Sequence, residues 1–298
     1  MSVYNGDRYI KGAVDNILGQ DFKDFEFIII NDGSTDDTGQ ILESYDDPRL
    51  RVLNQDNQGL VASLNRGIKE AKAPLIARQD ADDISLPTRL EKQYELMQTN
   101  RDLVIVGSSI VTIDMNSNAL NKHYVLLNDP ELKQELLVRS PFAHGAVMFR
   151  KDAFEKAGGY LEEEHPAEDY GLWLRIAPFG SFTNIDAPLY QYRENTAGIS
   201  RLNDSAQTKA KQSIQVRAWT DRKELLPGWI DIRPYENLEM GPDRIERIAA
   251  NLLFTLRKSI AHVDFRIAWK SLILVFSNKQ LRRKCARLTL IKLRLKHA

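Results

Sequence analysis

The chain has 298 residues, of which 43% are apolar and 28% are charged, so it is long enough for one large domain with an appendage and too apolar to be disordered. Its single cysteine excludes an intramolecular disulfide and a zinc-binding thiolate cluster, as expected in a reducing cytoplasm. The net charge is zero, but residues 244–298 carry 14 Lys and Arg against two acids, whereas residues 1–243 carry 27 against 39. This asymmetry predicts different roles for an acidic body and a basic tail.

The first half of the chain alternates predicted helices and strands. Apolar residues at helical spacing predict a helix over Asp7–Leu18, and the apolar run that starts at Phe25 predicts a buried strand. The same criteria predict helices at 36–45, at 59–71 and after Pro87, with strands at 50–54 and 75–78. This alternation predicts an α/β fold with a Rossmann-like, mostly parallel mixed sheet flanked by helices.

The second half has a mixed pattern. Strands are predicted from Asp102, Phe142 and Phe182, and short helices are predicted at 151–157 and 168–177. From Asn203 onward the pattern is helical, with breaks at 225–236 and at the Gly-Pro pair 241–242. We therefore expect a main domain over residues 1–240 and a basic, amphipathic helical extension over residues 241–298.

Two acidic segments follow predicted strands, "NDGSTDDT" (31–38) and "QDADD" (79–83). In sheets of this kind, ligands bind beyond the carboxyl ends of the strands, so both segments are candidate site loops. In an extended loop Asp80 and Asp82 would lie on the same side of the backbone, where their oxygens suit Mg²⁺ or Mn²⁺. The alternative is structural: Asp83 or Ser85 caps the helix that follows Pro87.

Asp32 in the first of these segments has two interpretations. At a strand end its carboxylate could accept hydrogen bonds from a nucleobase, whereas a strand-to-helix turn with capping residues accounts for Ser34 to Asp37 without a ligand. The chain lacks the glycine-rich dinucleotide motif and the phosphate-loop lysine motif. A nucleotide site here would therefore hold its phosphates by other means.

Three segments in this order resemble the family 2 glycosyltransferases, which are inverting enzymes with the GT-A fold. They are the stretch from Ser2 to Thr38, the "DADD" string at 80–83 and "AEDYGLWLRI" at 167–176. The resemblance extends over about residues 1–200. It implies transfer of a sugar from a nucleotide-diphosphate sugar, expected to be a UDP-sugar, to a saccharide acceptor.

The resemblance also assigns roles to residues. Tyr4, Asn5 and Asp32 match positions that line the nucleotide base pocket. Asp80 and Asp82 match the D-x-D motif that holds the nucleotide sugar and a divalent metal, Mn²⁺ or Mg²⁺, and Asp83 is an adjoining third candidate ligand. Asp169 matches the catalytic base that deprotonates the acceptor hydroxyl, and Glu168 is expected to support it.

For three further residues, a structural role competes with a functional one. His144 lies where this family often has a cleft residue, but a histidine hydrogen-bonded at a strand start explains it equally well. Arg193 could neutralise the donor diphosphate, or it could pair with Glu194 or another acid. Trp173 is expected in the core rather than as a platform for a sugar.

The beginning of the chain departs from the family pattern. Family members begin with an apolar strand that leads into the "SVYN" turn, and here Met1 stands where that strand should end. We expect Met1 to be an internal residue of a longer protein. Without the strand, nucleotide binding is expected to be weak or absent.

The basic tail predicts association with an anionic membrane. Apolar residues from Ile245 to Ile260 recur at helical spacing and are edged by Arg and Lys, a pattern typical of helices on anionic lipid. The alternative is a bundle packed on the acidic body, and no nucleic-acid module accompanies the charges. The expected protein is cytoplasmic and peripheral on the inner membrane face, and it acts on a lipid-linked acceptor in surface polysaccharide synthesis. A non-catalytic, membrane-associated scaffold with a degenerate nucleotide site is the rival hypothesis.

Overall fold

The computed structural model describes residues 1–123, 125–136, 139–194, 206–211 and 213–214. These residues fall into two units. The first unit consists of residues 1–127 and 142–211 and holds every candidate site residue; the second begins at Asn128, and its described helix is α5 (Asp129–Leu136). The predicted domain boundary at residue 240 and the whole basic tail lie outside the described residues, so both remain predictions.

The N-terminal part of the first unit contains a parallel three-stranded sheet. Its order is β1 (Ser2–Val3), β2 (Phe27–Asp32) and β3 (Leu50–Gln55). All six residues of β2 are buried, as predicted for the apolar run after Phe25. Beside this sheet run α1 (Asp7–Leu18), α2 (Thr38–Glu43) and α3 (Leu60–Glu70).

Helix α1 has the predicted bounds because its apolar residues lie on one face. Ile10, Ala13, Val14 and Ile17 are all buried, and three of them pack with Phe27 of β2 in a common core cluster. The strand end that precedes α1 pairs in parallel with β2, and the Met1 carbonyl accepts a hydrogen bond from the Ile30 amide. A short first strand, Ser2–Val3, is therefore present and pairs with β2, whereas the expectation that Met1 is internal to a longer protein remains a prediction.

A second, mixed sheet forms the remainder of the first unit. Its order is β4-β8-β6-β9-β5, and β7 pairs with β6 at the side. The strands are β4 (Leu75–Ala77), β5 (Ile84–Ser85), β6 (Leu103–Ile113), β7 (Ala119–His123), β8 (Met148–Arg150) and β9 (Ser181–Arg193). The central β6–β9 pair is parallel, while the other pairings in this sheet are antiparallel.

Three helices accompany the second sheet: α4 (Arg89–Thr99), α6 (Lys151–Lys156) and α7 (Glu168–Ile176). An aromatic cluster fills the space around α7, where Trp173 is fully buried and its ring meets Phe142 and Phe149 edge to face at 6.0 Å. The prediction that Trp173 belongs to the core is confirmed. The fold class, a mixed α/β sheet structure with flanking helices, is confirmed as well.

One predicted strand is largely wrong. The strand expected from Phe142 is confined to β8, and it is preceded by a turn of 3₁₀-helix at His144–Ala146. The reason is a close approach at Gly145, where an added Cβ would overlap the Tyr190 hydroxyl and the Asp80 carboxylate. The apolar character of this segment reflects burial in a turn rather than strand pairing.

Strands β5 and β7 were not predicted. Strand β5 has two residues, and all five residues of β7 are exposed, so neither shows a hydrophobic period.

Among the described residues, no helix is long and apolar enough to cross a membrane.

Candidate active site

The first site loop is formed by two turns that hydrogen-bond to each other. The Asn5 amide donates to Ser34 Oγ at 3.0 Å, and Asn5 Oδ1 accepts from the Thr35 amide at 2.8 Å. The Gly6 amide donates to Thr38 Oγ1 at 2.8 Å. Asn5 has a φ of 50°, which asparagine tolerates better than most residues. Tyr4 is 54% exposed, so its ring is available to a ligand at this turn.

Asp32 ends β2 and is almost fully buried. Its Oδ1 accepts hydrogen bonds from Gln55 Nε2 at 2.6 Å and from the Gln58 amide at 2.9 Å, and its Oδ2 accepts one from the Gly59 amide at 2.9 Å. These donors are all neutral. The carboxylate therefore fixes the loop ahead of α3, and Oδ2 keeps acceptor capacity for a ligand N–H group.

Gly33, directly after Asp32, permits this arrangement. Its φ is +75°, and an added Cβ would lie 2.7 Å from the Asn57 amide nitrogen. Both the backbone conformation and the close approach of the loop after β3 thus require glycine here.

The second site loop follows β4 and contains an ion pair. Arg78 Nη2 lies 2.7 Å from Asp80 Oδ1, and the Arg78 side chain is only 5% exposed. The Asp80 amide donates to the Tyr190 hydroxyl at 3.2 Å. Burial disfavours the charged form of Asp80, but Arg78 and then His144 outweigh it, so the pKa of Asp80 is lowered. Asp80 is thus held as a carboxylate.

The loop is a turn at residues 81–82 and is not extended. The expectation that Asp80 and Asp82 lie on one side of an extended backbone is therefore wrong in its geometry, because a turn changes the direction of the chain between them. Both side chains are partly exposed, so each can present hard oxygen ligands to a cation. The predicted roles of both aspartates remain predictions.

Asp83 has a structural contact in this loop. It is almost fully buried, and its Oδ1 accepts a hydrogen bond from the Arg193 amide at 2.7 Å. Burial raises the pKa of Asp83 well above its usual value, and Asp80 and Asp82 add to this effect. Neither Asp83 nor Ser85 caps α4, because Asp83 contacts Arg193 and the Ser85 hydroxyl donates to Gln79 Oε1 at 2.6 Å. The capping alternative is wrong.

The residues of the second loop fit a divalent ion in part. Among the described residues, no group of three or more His, Cys, Asp or Glu side chains is arranged to hold a metal ion. The loop does concentrate three carboxylates, and the Oδ2 of Asp83 is buried without a hydrogen-bond partner. Two partly exposed carboxylates suit Mg²⁺ or Mn²⁺ when the remaining ligands come from substrate phosphates and water.

Arg193 at the end of β9 ties the second loop to the hairpin between β6 and β7. Its Nε donates to the Asp82 carbonyl at 2.7 Å, its Nη1 to the Asp114 carbonyl at 2.8 Å and its Nη2 to Ser117 Oγ at 3.0 Å. Its guanidinium also lies 4.5 Å from the centre of the Tyr9 ring. These contacts explain why Arg193 is only 5% exposed. Its predicted contact with a donor diphosphate remains a prediction.

His144 lies in the 3₁₀ turn that approaches Asp80. Its Nε2 is 2.7 Å from the Tyr160 hydroxyl, and its ring meets that of Trp173 edge to face. Burial, followed by the charge of Arg78, lowers the pKa of His144 to about 4, so the ring is neutral at pH 7. The hydrogen-bonded histidine of the structural interpretation is observed, although it lies in a turn and not at a strand start.

Helix α7 begins with the second pair of candidate acids. Glu168 is 5% exposed, and its Oε2 lies 3.0 Å from His165 Nδ1; Asp169 is partly exposed. Burial disfavours the charged form of Glu168, but the His165 hydrogen bond and several smaller favourable contributions together outweigh it, so the pKa of Glu168 is lowered. The two acids thus differ: one is ion-paired below the surface and the next can reach a ligand.

The pKa of the Tyr160 hydroxyl responds to both groups of acids. Burial raises the pKa of this hydroxyl, and Arg78 opposes the effect. Asp169, Glu168 and Asp80 each raise it further. A single hydroxyl thus interacts with carboxylates from both motifs, which are far apart in the sequence.

Sequence reasoning missed five residues of this site: Arg78, Tyr160, His165, Gly145 and Tyr190. Arg78 had a usable signal, since a cation directly before a string of acids predicts an ion pair. The other four act through contacts between distant parts of the chain, and a single sequence carries no signal for them.

The fold and the acidic site together define a GT-A glycosyltransferase, and comparison with known proteins shows the family. The sequence model of the family described as "Glycosyl transferase family 2" matches residues 1–158. The chain belongs to this family and is a glycosyltransferase.

Two relatives and one structure illustrate the similarity. The chain is 37% identical over 199 residues to the O-antigen biosynthesis glycosyltransferase WbnJ of Escherichia coli, which covers 65% of this chain and 77% of WbnJ. It is 33% identical over 208 residues to EpsE of Bacillus subtilis (strain 168), which is named as a glycosyltransferase. The match covers 67% of this chain and 74% of EpsE. The structure of S. aureus TarS residues 1–349 in complex with UDP-GlcNAc shares the fold, with a TM-score of 0.62, 17% identity, and coverage of 95% of this chain and 87% of TarS.

Proposed function

We propose that this glycosyltransferase moves a sugar from a UDP-sugar to a saccharide acceptor, with a divalent metal and with inversion at the anomeric carbon. The observation that carries the proposal is the turn at His144 and Gly145, which meets both motifs: Gly145 closely approaches the Asp80 carboxylate, and the His144 ring lies 6.0 Å from that of Trp173 in the helix that carries Asp169. Donor and acceptor must meet within one cleft, so the groups that bind the leaving diphosphate and the group that takes the acceptor proton have to be neighbours.

The donor half of the proposed site is formed by the two loops. Tyr4, Asn5 and Asp32 would receive the nucleobase, and Oδ2 of Asp32 has acceptor capacity for an N–H group. Asp80 and Asp82 would hold Mn²⁺ or Mg²⁺, with Asp83 and Arg193 supporting the loop. When bound, the metal supplies Lewis-acid stabilisation of the diphosphate charge. The fold shared with TarS bound to UDP-GlcNAc supports the choice of UDP.

The acceptor half is formed by the start of α7 and by His144. The acceptor oxygen attacks the anomeric carbon as the bond from that carbon to the diphosphate oxygen breaks, and the nucleoside diphosphate leaves with the bonding electrons. The acceptor proton passes to the carboxylate of Asp169. Glu168, the residue before Asp169, and the neutral His144 would support this step; each influences the pKa of the other. Attack from the face opposite the leaving group inverts the anomeric carbon.

The proposed biological setting is surface polysaccharide synthesis on a lipid-linked acceptor at the inner face of the cell membrane. The similarity to WbnJ, an O-antigen biosynthesis glycosyltransferase, supports the product class. The 14 basic residues against two acids over residues 244–298 support the membrane. Sedimentation with anionic and neutral vesicles tests this setting. The full chain should sediment with anionic vesicles and not with neutral ones, whereas a chain ending at residue 240 should sediment with neither type of vesicle. Equal sedimentation of the full and the shortened chain with anionic vesicles would contradict the membrane setting.

Calorimetric titration and turnover measurements test the reaction. We expect UDP to bind when Mn²⁺ is present, and to bind much more weakly when EDTA removes the metal. Asp169→Asn is expected to leave the affinity for UDP unchanged and to lower donor turnover by about 10²–10⁴-fold, the usual contribution of a general base. The control is Asp152→Asn, because Asp152 is an exposed acid paired only with Lys156 at the surface.

Three results would contradict the proposal. Nucleotide affinity that is identical in Mn²⁺ and in EDTA would exclude the metal-dependent site. Unchanged turnover in Asp169→Asn would exclude Asp169 as the base. Absence of binding with UDP and all other nucleotides would favour the non-catalytic rival.

A further inference from the structure

Below the second site loop lies an arginine that the catalytic assignments do not use. Arg89 is the first residue of α4 and is fully buried. It is not part of the D-x-D string, and the amino acid sequence places it beyond the loop, at the start of a helix. A buried cation is disfavoured by burial, and a cation at a helix N-terminus is disfavoured by the helix dipole. Its position therefore requires compensation from its surroundings.

The compensation comes from five hydrogen bonds, one for each N–H donor of the guanidinium. Nε donates to Gln93 Oε1 at 3.1 Å. Nη1 donates to Gln79 Oε1 at 3.1 Å and to Ser85 Oγ at 2.6 Å. Nη2 donates to the carbonyls of Arg78 and Val147, at 2.5 and 3.2 Å. All five acceptors are neutral oxygens, and the guanidinium also lies 5.0 Å from the centre of the Tyr190 ring.

Three of these five acceptors lie at the two ends of the acidic loop. Arg78 and Gln79 open the loop and Ser85 follows its last acid, so one rigid guanidinium fixes the start and the end together. Gln79 extends the same support, because its Nε2 donates to the carbonyls of Asp80 at 2.9 Å and Asp83 at 3.1 Å. Val147 belongs to the turn that carries His144, which connects the loop to that turn as well.

The charge of Arg89 acts on the same acids. Burial lowers the pKa of Arg89 to about 10, which still leaves the side chain charged at pH 7. Tyr190 and Asp80 counter this lowering, and Asp83 does so more weakly. The cation therefore lies within electrostatic range of two acids of the loop, although its hydrogen bonds go to neutral oxygens.

We propose that Arg89 is a positioning residue for donor binding: from inside the fold, its guanidinium fixes residues 78–85 in the shape that presents Asp80 and Asp82 to the metal and the donor diphosphate. Donor contact is not part of this role, since Arg89 is fully buried. The inference that the loop is fixed rests on geometry alone, and the inference that donor binding depends on it rests on the proposed function.

Arg89→Lys is the sharpest test, with Arg175→Lys as the matched control. Lysine keeps the charge but cannot reach five acceptors arranged around a planar fork. Arg175 is also about 95% buried and donates to Glu164 at 2.7 Å and to the Gly159 carbonyl at 2.7 Å, away from the acidic loop. Both substitutions remove part of the hydrogen bonding of a buried arginine and are expected to lower the melting temperature. If the two variants lose a similar amount, a difference between them in loop exchange or UDP affinity reflects positioning of the loop and not general destabilisation.

Two measurements decide the proposal. In hydrogen exchange of the unliganded protein, Arg89→Lys should accelerate exchange in peptides covering 78–85 and 144–147, and Arg175→Lys should accelerate it around 157–164 instead. In calorimetry with Mn²⁺ and UDP, Arg89→Lys should weaken binding about 10–100-fold, as is usual when an outer-shell partner of a ligand residue is lost. Arg175→Lys should change the affinity less than about twofold, within ordinary additivity for distant sites.

The possible outcomes separate this proposal from the proposed function. If Arg89→Lys leaves the hydrogen-exchange protection of residues 78–85 unchanged, the positioning role is overturned. This holds regardless of the result of the UDP titration. If the wild-type chain fails to bind UDP, the proposed function fails, while hydrogen exchange still decides whether Arg89 fixes the loop. If Arg89→Lys does not fold, Ser85→Ala removes one of the five acceptors. It should shift exchange at 78–85 in the same direction, and no shift would overturn the proposal.

Discussion

The two acidic loops of this glycosyltransferase hold their carboxylates by different means. Asp32, in the first loop, accepts three hydrogen bonds from the neutral donors of Gln55, Gln58 and Gly59. Asp80, in the second loop, is paired with the cation of Arg78 and lies in the field of Arg89. The first loop is thus organised for hydrogen-bonded recognition, and the second for the concentration of charge. Under the proposed function, the nucleobase would bind at the first loop and the metal and diphosphate at the second.

The first expected effect is on nucleotide binding, and it separates the two loops. Asp82→Asn should weaken UDP binding about 10–100-fold in Mn²⁺ and hardly change it in EDTA, because the lost carboxylate acts through the metal. Asp32→Asn should weaken binding by a similar factor in both conditions, because its contact is a hydrogen bond. Calorimetry in the two buffers measures both variants. An equal metal dependence of both losses would show that the loops do not differ in this way.

The next effect is on stability and concerns the cation of the second loop. Arg78→Met should lower the free energy of unfolding by about 2–4 kcal/mol, because it leaves the Asp80 carboxylate without its buried partner. Urea unfolding measures the change. The control Lys156→Met breaks a pair whose side chains are 60% and 63% exposed, and it should cost less than about 1 kcal/mol. A loss as small as that of the control would contradict the role of Arg78.

A smaller effect is expected for the neutral donors of the first loop. Asp32→Ala should lower the free energy of unfolding by about 1–3 kcal/mol, because three N–H donors lose their acceptor in a largely buried position. Asp56→Ala, an exposed acid in the adjacent turn, is the control and should change stability by less than about 0.5 kcal/mol. If the two substitutions have equal effects, the Asp32 carboxylate does not hold the loop.

The smallest expected effect is on the pH dependence of stability. It concerns His165, a partly exposed side chain that lies beside Glu168. The Glu168 hydrogen bond raises the pKa of His165 above its ordinary value of 6.5, so its contribution is fully present below pH 6.5 and is lost as the pH rises through the folded pKa. The pKa of Glu168 is lowered below 4.5, so its contribution is lost as the pH falls through that lower value. His165→Gln should therefore destabilise by a few tenths of a kcal/mol near pH 5.5 and by almost nothing above pH 8. A loss that is the same at both pH values would refute the ion pair.

Local patterns predicted the elements whose burial is simple. Helix α1 has its predicted bounds because one face is apolar throughout, and β2 is recognisable because every residue in it is buried. The hydrophobic patterns failed for segments that are buried without pairing in a sheet, and for strands that pair while remaining exposed. The segment from Phe142 is apolar but forms a turn against Asp80 and Tyr190, and β7 pairs with β6 although all its residues are exposed.

The amino-acid sequence alone determined the family, the mixed α/β class and the segments from which the candidate site is built, because these depend on residue types and spacing along the chain. Tertiary structure alone decided how the acids are held: Asp80 by Arg78, the loop by Arg89 and Arg193, and Glu168 by His165. It also decided that Asp83 is buried and that Gly145 closely approaches the Asp80 carboxylate. The charge state of a carboxylate depends on burial and on the nearest cation, and in a folded chain most of those neighbours are distant in the sequence.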